Sequence, residues 1–212
     1  MLQIIETFKS VQGESTHAGK VCFFIRLSGC NLRCSYCDTT YAWEGGEERS
    51  VESLLDEAAA SNCNTVEITG GEPLLQKDTP LLAEKLLAMG KEVLIETNGS
   101  VDFSILPAGC CRIVDCKLPA SGMEKHNYYE AYKHLTSCDE VKFVVSDRQD
   151  FDFALDVIKK YSLVEKTPHL LFSPVWDRVS PEDLAEWVIS SQLPLRMQIQ
   201  MHKVIWGDKK GV

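Results

Sequence analysis

The feature that most limits the fold of this chain is a regular alternation of short β-rich runs with capped helical patterns. "VCFFIRL" (residues 21–27) reads as a buried strand, and "TVEIT", "EVLIET", "RIVD", "EVKFVV", "HLLF" and "MQIQ" follow at intervals. Between them Ser50 is placed to cap "VESLLDEAAAS", while "TPLLAEKLLAMG" offers Thr79 as a cap, Pro80 at the first helical position and Gly90 as a stop. "DFDFALDVIKKY" and "SPEDLAEWVISS" carry the same capped, amphipathic pattern. Strand–helix alternation predicts a mostly parallel sheet with right-handed crossovers. In such α/β folds a ligand binds at the carboxyl ends of the strands.

Residues with chemistry to offer gather just after the expected strands. Cys30, Cys34 and Cys37 follow the first, and Gly70, Gly71 and Glu72 follow "TVEIT". Thr97 and Asn98 close "EVLIET", Asp115 and Lys117 follow "RIV", and Ser173 follows "HLLF". One edge of one sheet would collect them all.

The chain has 212 residues, enough for a single domain spanning 1–212 with a substantial core. No apolar run approaches the roughly 20 residues of a membrane helix, and the opening residues lack a signal-peptide pattern, so a cytoplasmic protein is expected. A net charge of −9 argues against a broad nucleic-acid footprint and leaves a small molecule as the expected partner. Nine cysteines, an odd count without an export signal, point to reduced thiols rather than a disulfide framework.

Three of those thiols form a C-x3-C-x2-C run in "SGCNLRCSYCDTTY". A structural zinc site needs four ligands, usually in two spaced pairs, and no second C-x2-C exists; the five histidines are scattered. Thiolates are the usual ligands of iron–sulfur clusters, and three of them on a four-iron cube leave one iron open to a small molecule. "TGGEP" (residues 69–73) alone reads as a turn before a helix, but beside the cysteines its glycines would let backbone groups approach a ligand closely.

The cysteine spacing, with Tyr36 directly before the last thiol, resembles the signature of radical S-adenosylmethionine (SAM) enzymes. "SVQGES", "FFIRLSGCNLRC", "CDTTY", "VDCKLPASG" and the closing "QMHKVIWGDKKGV" extend the resemblance over essentially the whole chain, to the 7-carboxy-7-deazaguanine synthases of 7-deazapurine (queuosine-type) biosynthesis. That resemblance implies a partial (β/α) barrel of the TIM type with shortened later crossovers. It implies a lyase that converts 6-carboxy-5,6,7,8-tetrahydropterin to 7-carboxy-7-deazaguanine by C6 hydrogen abstraction, ring contraction and loss of ammonia. A [4Fe–4S] cluster, SAM and Mg2+ are the implied cofactors. A flavodoxin- or ferredoxin-like electron donor and a second copy of the chain, as a homodimer, are the implied partners.

Carried onto this sequence, the resemblance gives the cluster to Cys30, Cys34 and Cys37. SAM would be bordered by Tyr36, Asp38, Gly71, Asp115, Cys116 and Lys117 and by the run Ser173, Pro174, Val175 and Trp176. The pterin would meet Gln12, Gly13, Glu14, Arg26, Thr69, His202 and Val212, with Arg26 pairing the substrate carboxylate in the bidentate geometry that suits Arg. Thr39 would give Mg2+ an oxygen ligand, with Asp38 supporting the loop. Read without the resemblance, Glu14 is a solvated turn residue, Thr39 a hydroxyl bonded within its own loop, and His202 a structural histidine. Cys116 departs from the small apolar residue expected in "VDCKLP", and the Cys110–Cys111 pair fits no motif; these are inert buried thiols or ligands of an extra metal. Two other functions compete: an activase that installs a glycyl radical on a partner protein, and a non-catalytic metal-binding protein.

Overall fold

The computed structural model describes residues 1–207 and 209–211. Strand β2 (Val21–Leu27) has Cys22 through Ile25 all buried, as expected of a strand covered on both faces. A ten-residue strand that the sequence patterns do not announce, β1 (Leu2–Val11), pairs antiparallel with it, and the short β3 (Glu47–Arg49) pairs antiparallel with β1. The β1–β2 register shifts between Ile4 and Glu6, an irregularity that breaks the period-two pattern by which β1 would have been recognised.

From β2 onward every pairing is parallel. Helix α1 (Val51–Ala60) leads to β4 (Thr65–Gly70), and α2 (Thr79–Ala88) to β5 (Glu92–Thr97). Strands β6 (Cys111–Asp115) and β7 (Glu140–Val145) follow, then α3 (Arg148–Lys160), α4 (Leu163–Lys166) and β8 (His169–Pro174). The chain ends through α5 (Pro181–Ser190), β9 (Arg196–Met197) and α6 (Met201–Trp206). Ser50 and Ser180 cap their helices as the sequence suggests, each accepting a backbone N–H three residues on, whereas α3 starts at Arg148, before "DFDFALDVIKKY", and is capped by Asp147. Thr79 differs. It is the first residue of α2, its hydroxyl donates to the Pro73 carbonyl at 2.6 Å, and Asp78 occupies the boundary. "MQIQ" contributes only Met197 to a strand.

The nine strands form one sheet in the order β3-β1-β2-β4-β5-β6-β7-β8-β9. From β2 on this order never reverses, so no switch point exists and a doubly wound sheet does not describe it. The sheet is an open, partial barrel. The crossover after β5 holds one 3-10 turn and the crossover after β6 three, with no α-helix in either, so the loss of helix falls in the middle of the sheet and at its β9–α6 end, not on the crossovers through α3 and α5. Segments 98–110 and 117–139 contain Pro107, Gly109, Pro119 and Gly122, which interrupt any helical run there.

Alternation divides the parallel strands into two faces. Val66, Ile68, Val93, Ile95, Val114, Val141 and Phe143 join the main core under the helices. The opposite face is layered. Leu94, Cys111 and Ile113 form a small separate apolar cluster, with Glu92 and Glu140 toward the strand starts and Glu96, Asp115 and Lys142 toward the strand ends. The polar layer at the strand ends becomes the floor of the site.

Candidate active site

Cys30, Cys34 and Cys37 lie in the loop that leaves β2, all half-buried and none in a disulfide. Backbone contacts shape that loop. Glu72 N–H donates to the Gly29 carbonyl at 2.7 Å, and Ser35 is tied to Ser121 and Ala120 through its N–H and hydroxyl at 3.1 and 2.7 Å. Arg33 donates to the Cys30 carbonyl at 2.8 Å while its guanidinium stacks 4.5 Å from the Trp43 ring. A Cβ on Gly71 would collide with the Gly29 carbonyl and the Cys30 side chain, so only glycine allows the two loops to meet. Burial raises the Cys34 thiol pKa, with Lys117 opposing it.

Glu72, expected among the polar residues after "TVEIT", is fully buried and joins the "TGGEP" segment to Thr97 and Asn98. Its carboxylate accepts from Leu74 N–H at 2.9 Å, from the Thr97 hydroxyl at 2.9 and 3.0 Å and from Asn98 N–H at 2.6 Å. Burial carries its pKa up to about 7 against those bonds. Asn98 in turn points its amide at Cys30 Sγ at 3.7 Å, and Leu32 N–H points at the same sulfur at 3.4 Å.

The cysteines open into a cavity of about 710 Å3. The loop between β1 and β2 reaches in from the strand starts to provide one wall. Gln12 Oε1 accepts Glu14 N–H at 2.7 Å, and its amide nitrogen donates to the buried Glu67 of β4. Burial, then the nearby Glu96, push the Glu67 carboxyl up to about 8. Glu14 accepts from Lys142 at 3.0 Å and from Gln200 at 2.7 Å, and Lys142 also binds Glu96. Lys142 is desolvated, yet Glu14 and Glu96 hold its ammonium firmly charged; Glu96 is half-buried, and Lys142 keeps it ionised. Thr69 donates to Glu96 at 3.1 Å. The sequence reading passed over Glu67 and Lys142, although a charge inside a β-branched run such as "TVEIT" or "EVKFVV" is a signal of an inward polar layer.

Arg26 uses its Nε on Glu6 at 2.8 Å, and Tyr41 donates to the same Glu6 oxygen at 2.8 Å. The guanidinium sits 5.8 and 5.9 Å from the Phe8 and Tyr41 rings, lines the cavity, and has no hydrogen bond from its two terminal nitrogens among the described residues. Asp38 accepts from the Thr39 hydroxyl at 2.9 Å and pairs with Lys203 at 3.1 Å. Desolvation pushes its pKa upward, but Lys203 and the Thr39 hydroxyl carry it down to about 2. Asp115 is clamped to Lys117 at 2.6 Å, while its Oδ1 is buried without a partner among the described residues. His202 packs against Gly13, where a Cβ would strike its ring.

Most residues expected at the site therefore line this one cavity: Gln12, Gly13, Glu14, Arg26, the three cysteines, Tyr36, Asp38, Thr39, Thr69, Gly71, Asp115, Lys117, Val175, Trp176 and His202. Three do not. Cys116 is fully buried in the main core beneath Tyr129 and Tyr132, because alternation along β6 turns it away from Asp115. Ser173 and Pro174 are buried within β8, short of the loop that reaches the cavity. Val212 lies outside the described residues.

The residues fit the groups they are expected to hold. Three thiols without a fourth nearby match a cluster with one open iron. The glycine contact and the orphaned Asp115 oxygen suit a ligand with donor groups. Thr39 gives its proton to Asp38 and so keeps lone pairs for a hard cation.

Residues 24–188 match the Radical SAM superfamily model. A 7-carboxy-7-deazaguanine synthase from Koribacter versatilis (strain Ellin345) is 41% identical over all of both chains. The protein of that name from Chlorobaculum tepidum is 39% identical over 100% of this chain and 97% of its own. Among solved structures, QueE from Escherichia coli superposes with a TM-score of 0.79 at 24% identity, covering 95% of this chain and 94% of that one, a likeness of fold.

Proposed function

The chain belongs to the radical SAM superfamily and, within it, to the 7-carboxy-7-deazaguanine synthases, and from that premise we propose that it converts 6-carboxy-5,6,7,8-tetrahydropterin to 7-carboxy-7-deazaguanine. The observation that carries the reading is that three cluster thiols share one cavity with a carboxylate-and-arginine wall suited to a carboxylated pterin. When bound at Cys30, Cys34 and Cys37, the cluster and SAM supply the hydrogen abstraction at C6.

This chain's own side chains do the rest of the binding and orienting. Arg26 is held by Glu6 through Nε and offers its remaining N–H groups to the substrate carboxylate. Glu14 holds its carboxyl group beside Lys142 and Gln200 and accepts from the amide and amino edge of the pterin. Gln12 spends one amide bond on Glu67 and one on Glu14 N–H, so it acts chiefly by fixing Glu14, with Gly13, Thr69 and His202 shaping the pocket around the ring. Tyr36, Gly71, Asp115, Lys117, Val175 and Trp176 border SAM. Thr39 ligates Mg2+, and Asp38, already paired to Lys203, steadies that loop.

The chain acts as one domain and as a cytoplasmic homodimer that takes its electron from a flavodoxin- or ferredoxin-like protein. Exposed Ile189, Leu193, Ile199, Val204 and Ile205 in the last segment support a second copy packing there. No helix among the described residues is long and apolar enough to cross a membrane.

Anaerobic titration of reconstituted protein with 6-carboxytetrahydropterin tests the reading. Saturable binding that weakens at least tenfold in both Arg26→Ala and Glu14→Ala supports it. Binding unchanged by either substitution overturns the pterin site.

A further inference from the structure

Four successive parallel strands begin with a residue able to bind metal: Glu92 on β5, Cys111 on β6, Glu140 on β7 and His169 on β8. Beneath them, where the β1–β2 loop closes the strand starts, sits His17. His17, Glu92, Cys111 and His169 line a second cavity of about 430 Å3 at the strand starts, the end opposite the active site, and Glu140 is buried beside it. Along β5, β6 and β7 the two groups of residues lie two to four positions apart, about 7–13 Å at the strand rise, with the Leu94 and Ile113 layer between.

We infer that His17, Cys111 and Glu140 form a binding site for a divalent transition metal of the zinc class. Their donor atoms all lie within 4.8 Å of one another. Imidazole, thiolate and carboxylate together suit zinc or cobalt, and the sulfur excludes a preference for Mg2+. Glu140 is completely buried and held by the N–H and hydroxyl of Thr16, and among the described residues its one ion-pair neighbour is His17, with Nε2 at 3.9 Å. A buried carboxylate without a fixed cation gains most from a metal ion.

The surroundings of His17 match those of a metal-bound histidine. Its Nε2 faces Glu140, while its Nδ1 lies 3.5 Å from Glu92, a carboxylate placed to orient the ring. Lys20 contacts Nδ1 at 3.1 Å and Glu92 at 2.9 Å; it is exposed and keeps Glu92 as partner when Nδ1 turns its own proton there. Burial, then Lys20, lower the His17 pKa and keep the imidazole in its neutral, ligating form. Cys111 Sγ donates to the Cys138 carbonyl at 2.7 Å. On binding, the Sγ–H bond gives its proton to solvent as the sulfur–metal bond forms, so affinity rises with pH. His169 lines the same cavity and can supply the fourth donor, as can water.

The site would fasten the loop that carries Gln12 and Glu14, and its test does not depend on the pterin reaction. The probes are Zn2+ and Co2+, added anaerobically to holoenzyme whose cluster cysteines are already occupied. Expected are one zinc per chain beyond the cluster, a thiolate-to-cobalt charge-transfer band, and a melting temperature raised by zinc. Cys111→Ser should abolish the band and His17→Gln should weaken binding at least tenfold, both with the cluster retained, while Cys138→Ala keeps the band. Absence of the band in the wild-type holoenzyme, or its survival in Cys111→Ser, overturns the site. His17→Gln, on a partly exposed loop, guards against a folding defect in Cys111→Ser: unaltered zinc affinity there also overturns it.

Discussion

Lys142, on β7, donates to Glu14 across 3.0 Å although 128 residues separate them, and the same ammonium binds Glu96 of β5. This cation joins the β1–β2 loop to the sheet and bridges two acidic side chains at the floor of the site. Removing one partner of a buried ionic group costs about 3–5 kcal/mol because it strands the others. Lys142→Met should therefore lose about that much stability in chemical denaturation and bind pterin more weakly. A variant as stable as wild type would show that Glu14 and Glu96 do not depend on this cation.

Gly71 meets the Gly29 carbonyl and the Cys30 side chain more closely than any Cβ allows. Gly71→Ala should push the two loops apart and displace Cys30. Iron content and cluster absorbance after reconstitution should fall well below wild type, while far-ultraviolet circular dichroism stays unchanged. Full cluster loading would remove Gly71 from the shaping of the cysteine loop.

The division between legible and illegible residues follows from range. The strand runs, the caps at Ser50 and Ser180, and the cysteine and glycine loops are local patterns, and all were readable. Strand β1 was not, because its register slips between Ile4 and Glu6. Nor were Glu67 and Lys142, whose partners lie 46 or more residues away, so nothing in the adjacent sequence tells a paired charge from a solvated one. Cys116 was misplaced for the opposite reason. Its neighbours Asp115 and Lys117 are at the site, but period-two alternation sends the residue between them into the core.

Stability should also depend on pH through Glu67. Its carboxyl rises from the ordinary 4.5 to about 8 in the folded chain, chiefly through burial. The folded state then holds a proton that the unfolded state releases, so this contribution is complete below about pH 4.5 and fades as pH climbs through 8. Glu67→Gln should flatten the decline in melting temperature between those limits, where each kcal/mol is about 2–4 °C for a chain of this size. Parallel curves for wild type and variant would mean that Glu67 is ionised in the fold.

Thr39 donates its hydroxyl to Asp38 and has lone pairs left for a cation, whereas Asp38 already pairs with Lys203. Thr39→Ala should raise the Mg2+ concentration for half-maximal turnover by about 10–100-fold, the range seen when metal-site support is lost. Cluster absorbance should not change. An unaltered Mg2+ titration would take Thr39 out of the metal site.

The most direct test of the proposed reaction is one anaerobic turnover followed by mass spectrometry. Reconstituted protein is mixed with SAM, a strong reductant, Mg2+ and 6-carboxytetrahydropterin. A 7-carboxy-7-deazaguanine product, lost in Cys34→Ala together with all SAM cleavage, is the predicted result. Cleavage of SAM without that product would keep the radical chemistry and contradict the assigned substrate.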